Sequence, residues 1–166
     1  MIHHWLPLQI AAIDPGPAAR LWVLDLATLT VDMVLDDPWI GGATWSPDGG
    51  SLCLQGSPSA FDGLGRNLPA GVEANDYGGQ LYLFDLETRE PTPITLDLVP
   101  DVRGVEWSRA DGMLYARTTD TQYSTVWRAE PGGAWEKMDT GVEYTDQFAL
   151  APEAKVAVSR GTSAAT

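Results

Sequence analysis

Apolar and polar residues alternate along most of this chain in short runs broken by turn residues, and two of the runs are near copies of each other. The first reads Leu21-Trp22-Val23-Leu24-Asp25-Leu26-Ala27-Thr28; the second, sixty positions on, reads Leu81-Tyr82-Leu83-Phe84-Asp85-Leu86-Glu87-Thr88. A matched tryptophan segment follows each, Ala43-Thr44-Trp45-Ser46-Pro47-Asp48-Gly49 and Val105-Glu106-Trp107-Ser108-Arg109-Ala110-Asp111-Gly112. The tryptophans stand 20 and 22 residues beyond the aspartates, so the copies keep step. A fainter third copy runs from Val126-Trp127-Arg128-Ala129-Glu130 to Phe148-Ala149-Leu150-Ala151-Pro152. Val105 and Phe148 are 43 positions apart, inside the ~40–50 residue period of four-stranded propeller blades.

Alternation makes these runs strands. In the second copy Tyr82, Phe84 and Leu86 share one face and Leu81, Leu83 and Asp85 the other; apolar residues on both faces predict a strand in a sheet covered on both sides. Pro47-Asp48-Gly49-Gly50, Ala110-Asp111-Gly112 and Pro131-Gly132-Gly133 supply the preset φ, the capping side chain and the positive φ that tight turns need. One blade is predicted from strands near 42–46, 51–55, 80–86 and 91–96, and the next from 103–108, 113–118, 124–129 and 134–139. Residues 8–14, 20–26 and 30–35 read as the last three strands of a preceding blade, and 144–150 with 154–160 as the first two of a following one.

The expectation is therefore an all-β chain, a partial β-propeller of about two complete four-stranded blades plus two partial ones, with residues 1–166 forming one incomplete arc. A closed ring needs about four to eight blades. The open flanks would expose apolar surface, and self-association through them is expected. One stretch interrupts the repeat: residues 56–79 form an insertion, predicted to be ordered on one propeller face because Phe61, Leu64, Leu68, Val72 and Tyr77 can pack down.

Charge narrows the partners. Asp+Glu number 23 against Lys+Arg 10, a formal net charge of −13. Such a surface repels phosphate backbones and anionic headgroups, so neither nucleic acid nor a membrane is expected as a partner. Cys53 is the single cysteine and sits in the apolar run Ser51-Leu52-Cys53-Leu54, where a buried thiol acts as a small hydrophobe. The amino-terminal Met1-Ile2-His3-His4-Trp5-Leu6-Pro7 has no basic residue before its apolar ones; no signal peptide or membrane span is read, and no compartment follows from the chain.

Gly161-Thr162-Ser163-Ala164-Ala165 lacks the final glycine of a nucleophile elbow and no histidine follows it. His3 and His4, the two imidazoles, are adjacent and would point to opposite faces of a strand, so no metal site is expected. Gly63-Leu64-Gly65-Arg66-Asn67-Leu68 starts like a dinucleotide fingerprint but ends on Leu68, with no helix start. Asp25, Asp85, Asp48 and Asp111 lie at strand ends or turns, where they are expected to hydrogen-bond backbone amides. Trp22, Trp45, Trp107 and Trp127 fall at repeat positions and are read as packing between blades. No catalytic residue, cofactor site or metal site is therefore expected in the chain.

The box Trp45-Ser46-Pro47-Asp48-Gly49, then Gln80-Leu81-Tyr82-Leu83-Phe84-Asp85-Leu86 and Pro93-Ile94-Thr95, resembles the blade pattern of the amino-terminal propeller in the prolyl oligopeptidase family of serine peptidases. The stretch Gly56-Ser57-Pro58-Ser59-Ala60-Phe61-Asp62-Gly63-Leu64-Gly65 resembles bacterial members of its dipeptidyl-peptidase-like branch. The Trp-Ser-Pro-Asp-Gly box is also shared by Tol-system propellers. The resemblance covers roughly residues 20–160. The second box departs from it, with an extra residue and no proline, and the third keeps neither tryptophan nor Asp-Gly.

The α/β-hydrolase domain that carries the family's Ser, Asp and His is absent from the chain, and so is a Glu-Glu pair of the kind that holds a substrate amine. What the resemblance implies is a non-catalytic propeller that gates peptide substrates for a hydrolase domain. Arg66, Glu73 and Asp76 of the insertion would face the cavity between the two. The competing expectation is a stand-alone propeller acting as a binding or scaffold module of the Tol-system type.

Overall fold

The structure is a computed structural model that describes residues 20–67, 78–98, 100–153, 155 and 157–163. Strands β1 (Arg20–Leu24) and β2 (Val31–Asp36) form a two-stranded antiparallel sheet. Strands β3 (Ile40–Trp45), β4 (Ser51–Gly56), β5 (Gln80–Asp85) and β6 (Pro91–Pro93) follow as an antiparallel four-stranded sheet in chain order. The third sheet holds β7 (Asp101–Trp107), β8 (Leu114–Asp120), β9 (Tyr123–Ala129), β10 (Glu136–Lys137), β11 (Tyr144–Leu150) and β12 (Ala157–Thr162). The architecture is all-β, without a closed sheet: an arc of propeller blades. The predicted strand at 8–14 lies outside the described residues, as do His3 and His4. No helix among the described residues is long and apolar enough to cross a membrane.

The two-faced alternation decides how the sheets stack. Leu52, Leu54, Tyr82 and Phe84 point one way and bury themselves with Leu21 of the first sheet, Val34 and Leu35 packing against them. Cys53 and Leu81 point the other way, into a second core with Val102, Leu114 and Ala116, flanked by Leu83, Trp107 and Trp127. Leu52 faces Phe84 and Leu54 faces Tyr82 across the strands, so each apolar set is also a cross-strand ladder. The central sheet is apolar on both sides because it has a neighbour on both sides.

The repeated sequences build repeated turns. Asp25 Oδ1 accepts from the amides of Ala27 (2.7 Å) and Thr28 (3.0 Å), and Asp85 Oδ1 from those of Glu87 (2.9 Å) and Thr88 (2.7 Å). Each turn then passes through a left-handed residue at the matched position, Leu29 (φ 57) and Arg89 (φ 60). In the tryptophan boxes Gly49 N–H donates to Ser46 O and Gly112 N–H to Ser108 O, both at 3.0 Å. The strand-end aspartates thus serve the backbone, as their positions predict.

Two features depart from the sequence reading. The outer strands are shorter than predicted: β6 stops at Pro93, and β10 pairs only Glu136 with Arg128 and Lys137 with Trp127. Proline at 91 and 93 removes ladder donors, which a sheet tolerates at its edge. The short β10 leaves the beginning of β9 uncovered, and β11 enters there in parallel, Tyr144 opposite Ser124, with Ser124 Oγ donating to Thr145 O at 2.7 Å. The third and fourth blades are therefore joined into one sheet rather than merely stacked.

One irregularity recurs in all three inner strands. Register slips by one residue at Gly41 in β3, at Arg103 in β7 and at Asp146 in β11. These are bulges at the same place in three successive blades, all at the strand starts, and bulges re-aim the side chain that they carry. The recurrence is visible in Ile40-Gly41-Gly42-Ala43-Thr44-Trp45 set against Val102-Arg103-Gly104-Val105-Glu106-Trp107.

Candidate binding cavities

Each end of the strands carries a cavity. At the strand-start end, a cavity of about 400 Å³ lies on the seam between the second and third blades. Its walls include Trp39, Gln55, Asp101, Arg103 and both roots of the insertion, Gly56-Ser57 and Gly78-Gly79. The seam is tied by main chain. Val102 N–H donates to Gly79 O at 3.3 Å, Gln55 Nε2 to Val102 O at 3.2 Å, and Gly79 N–H to the Asp101 carboxylate. A Cβ on Gly79 would strike the Val102 carbonyl, so only glycine lets the two blades close here.

Asp101 also fixes the cation of the cavity. Its Oδ2 lies 2.6 Å from Arg103 Nη2, while its Oδ1 holds the Gly79 amide. The Arg103 side chain stays 54% exposed. A guanidinium has five N–H donors in a fixed fork, and the Asp101 contact at Nη2 engages one corner of it.

The described half of the insertion folds back on the blades. Phe61, Asp62 and Gly63 run consecutively through left-handed conformations (φ 53, 58 and 86), and Asp37 holds this turn, accepting from Phe61 N at 2.7 Å and Trp39 N at 2.8 Å. Left-handed backbone costs roughly 1–2 kcal/mol per non-glycine residue. The Phe61 ring offsets it by packing edge-on against Tyr82 (5.1 Å) and stacking on Phe84 (6.3 Å). Tyr82 Oη donates to Ser57 O at 2.7 Å, and burial, with the Asp37 charge beside it, pushes the phenol up to about 12. Gly65 is buried against that hydroxyl, where no Cβ fits. The glycines of the 63–68 stretch serve a turn and a close approach.

Of the predicted site residues, Arg66 lies in this fold-back, its Nη2 2.5 Å from Ser59 Oγ, and is not among the cavity walls. Glu73 and Asp76 lie outside the described residues, as do Leu68, Val72 and Tyr77. Phe61 packs as predicted, but Leu64 does not: it is 38% exposed, because the left-handed turn before it directs Phe61 inward. Arg103, Asp101 and Trp39 were not singled out by sequence; the x-Gly pair near the start of two of the three inner strands, Gly41-Gly42 and Arg103-Gly104, is the signal that marks the bulge there.

The second cavity, about 540 Å³, lies at the opposite end between the first and second blades. Val23, Val34, Trp45 and Leu86 line it together with Asp25, Asp32, Asp48 and Asp85. These carboxylates are engaged in turns or ion pairs. Asp48 Oδ1 accepts from Ser46 Oγ at 2.6 Å and Gly50 N at 3.0 Å, which holds its carboxyl below the usual range, and Asp32 pairs with Arg89 at 2.7 Å. Trp45 Nε1 is buried with no hydrogen-bond partner.

Elsewhere the side chains behave structurally. Cys53 is fully buried, and desolvation pushes its thiol up to about 12. Gly161 lies within β12 rather than on a strand-to-helix elbow, and Ser163 Oγ accepts from Glu143 N at 3.3 Å. Among the described residues no group of three His, Cys, Asp or Glu could hold a metal ion.

No protein-family model matches the chain, and no curated protein does. Among solved structures, TolB from Acinetobacter baumannii is similar at 15% identity with a TM-score of 0.65, over 91% of this chain and 34% of that one. The β-propeller domain of the trilobed protease from Pyrococcus furiosus is similar at 20% identity, over 78% of this chain and 38% of that one, TM-score 0.46. The acylaminoacyl peptidase of Pyrococcus horikoshii matches at 20% identity, over 82% and 25%, TM-score 0.48. The chain spans about a third of the length of the TolB that it matches.

Proposed function

We propose that the chain is a non-catalytic, substrate-gating segment of the propeller of a serine peptidase, with the cavity between its second and third blades on the face over which peptides pass. One observation carries the reading. Both roots of the insertion, Gly56-Ser57 and Gly78-Gly79, form walls of that cavity, which opens between the second and third blades. The blade pattern from Trp45 to Thr95 supports the same reading from the sequence side.

The chemistry of such a segment is selection. Size excludes folded chains, and the net charge of −13 favours peptides with a free amine or basic residues. Arg66, Glu73 and Asp76 are proposed to face the passage. The test is the full reading frame, expressed intact, treated with a fluorophosphonate probe and assayed on peptides of graded length. Labelling of a serine, and a changed KM or length preference in Arg66→Ala and Glu73→Ala, are the expected results. An unlabelled protein removes the peptidase reading, and unchanged kinetics on several peptides removes the insertion from it.

A second reading, a stand-alone propeller that serves as a binding platform, draws on the overlay with TolB, which extends over 91% of the chain. It expects no fluorophosphonate labelling and no Gly-x-Ser-x-Gly segment anywhere in the frame.

A further inference from the structure

Arg103 differs from the cations that bridge strands or blades. Arg20, Arg89 and Arg128 each reach a carboxylate across a strand or between blades, stitching one surface to another. Arg103 reaches only two residues back along its own strand, to Asp101. The Asp101 carboxylate is itself anchored, since its other oxygen holds the Gly79 amide at the root of the insertion. A guanidinium gripped by a fixed carboxylate is oriented without being consumed, because its remaining donors are still presented.

The position of Arg103 adds a second argument. It is the residue that the bulge in β7 re-aims, the middle of three bulges at matched positions, and it lines the cavity while staying 54% exposed. A Cβ placed on Gly41 or Gly78, which line the same cavity, would meet none of the described residues within 4 Å, so these stretches of its wall are open. Trp39, 48% exposed, offers a flat apolar wall in the same cavity. A planar fork and an indole on the walls of one cavity fit a carboxylate carried next to an apolar group.

We propose that Arg103 anchors the carboxylate of a peptide in the cavity between the second and third blades, with Trp39 covering the adjoining side chain. The inference rests on the peptide-handling reading above and gives it a chemistry: the ligand is anionic at the point of contact, although the surface as a whole is acidic. The net charge then disfavours strongly acidic peptides at long range, while Arg103 selects for one carboxylate at short range.

Three probes separate the sources of that carboxylate: N-acetyl-Ala-Ala-Ala as the free acid, the same tripeptide as its C-terminal amide, and N-acetyl-Ala-Glu-Ala amide. Each is titrated into the full chain and followed by two-dimensional NMR at the Trp39 indole and the Gly78 and Gly79 amides. The expected result is that the free acid or the glutamyl amide binds about tenfold or more tightly than the neutral amide. Arg103→Ala should bring all three within about twofold, and Arg103→Lys, a point charge without the fork, should keep part of the preference. Gly41→Phe, which fills open space, should abolish binding of every probe with the rest of the spectrum unchanged. Equal affinities for acid and amide, a preference that survives Arg103→Ala, or no shift with any probe would each overturn the assignment. Peptide binding without a carboxylate preference leaves the gating reading standing, since the fluorophosphonate experiment tests that reading separately.

Discussion

Trp45 and Trp107 occupy the same place in successive blades, yet Trp107 donates its indole N–H to Gly112 O at 3.0 Å while Trp45 buries Nε1 with no partner. The cause is one residue of turn length. After Trp107 the chain reads Ser108-Arg109-Ala110-Asp111-Gly112, and after Trp45 only Ser46-Pro47-Asp48-Gly49. The longer turn carries a carbonyl back over the ring.

An orphaned buried donor costs about 1–3 kcal/mol, whereas a made hydrogen bond contributes about 0.5–1.5 kcal/mol net. Replacing Trp45 with phenylalanine removes the orphan along with some apolar area; replacing Trp107 removes a satisfied bond and the same area. Trp107→Phe should therefore destabilise the chain by about 1–2 kcal/mol more than Trp45→Phe does. Urea unfolding at matched m-values measures the difference, and a larger loss in Trp45→Phe would contradict the account.

Gly79 closes the seam between the second and third blades. A methyl group there meets the Val102 carbonyl, which is held by β7 and has no room to yield, whereas one on Gly78 meets nothing. Gly79→Ala should cost at least about 2 kcal/mol and Gly78→Ala within about 0.5 kcal/mol of nothing. Comparable denaturation midpoints for the two variants would show that the blades tolerate a wider seam.

Much of this architecture was legible because the repeat is stated twice in clear text. Asp25 and Asp85 make the same turn with the same acceptor, and the two-sided alternation at Leu81 to Leu86 places a neighbour on each face. The site was less legible. Asp101 and Arg103 acquire meaning only when Gly79, 22 residues earlier in the chain, is brought against β7. The joining of β9 to β11 was equally hidden, since it depends on how far β10 extends, and strand length at an edge follows tertiary pairing rather than local pattern.

Acid should loosen the turns. Asp85 accepts from the Thr88 and Glu87 amides and Asp48 from Ser46 and Gly50, and both carboxyls are held below the usual range. The unfolded chain therefore binds protons that the folded chain refuses. Their contribution is complete above the unfolded value near 4 and declines as pH falls from there through the lowered folded values. Asparagine keeps the acceptor oxygen but has no proton to take up. The urea midpoint of the double variant Asp48→Asn, Asp85→Asn should fall less steeply between pH 5 and pH 2 than that of the parent, and an unaltered slope would assign acid sensitivity to other groups.

Alkali should act through the core instead. Desolvation alone pushes the Cys53 thiol up to about 12, from an unfolded value near 8.5. Above pH 8.5 the unfolded chain sheds a proton that the folded one keeps, so this group's contribution is intact below pH 8.5 and is lost progressively as pH rises toward 12. Thiolate is the reactive form, and the thiol is fully buried. At pH 8 a thiol reagent should therefore modify Cys53 only as fast as the second sheet opens, with a rate that rises with urea in parallel with unfolding. Cys53→Ala should flatten the alkaline decline in stability while lowering stability at neutral pH by an amount set by the small cavity left between Leu83 and Leu81. Rapid labelling in the absence of denaturant would mean that the second core is open to solvent, and the packing of the second blade against the third would have to be redrawn.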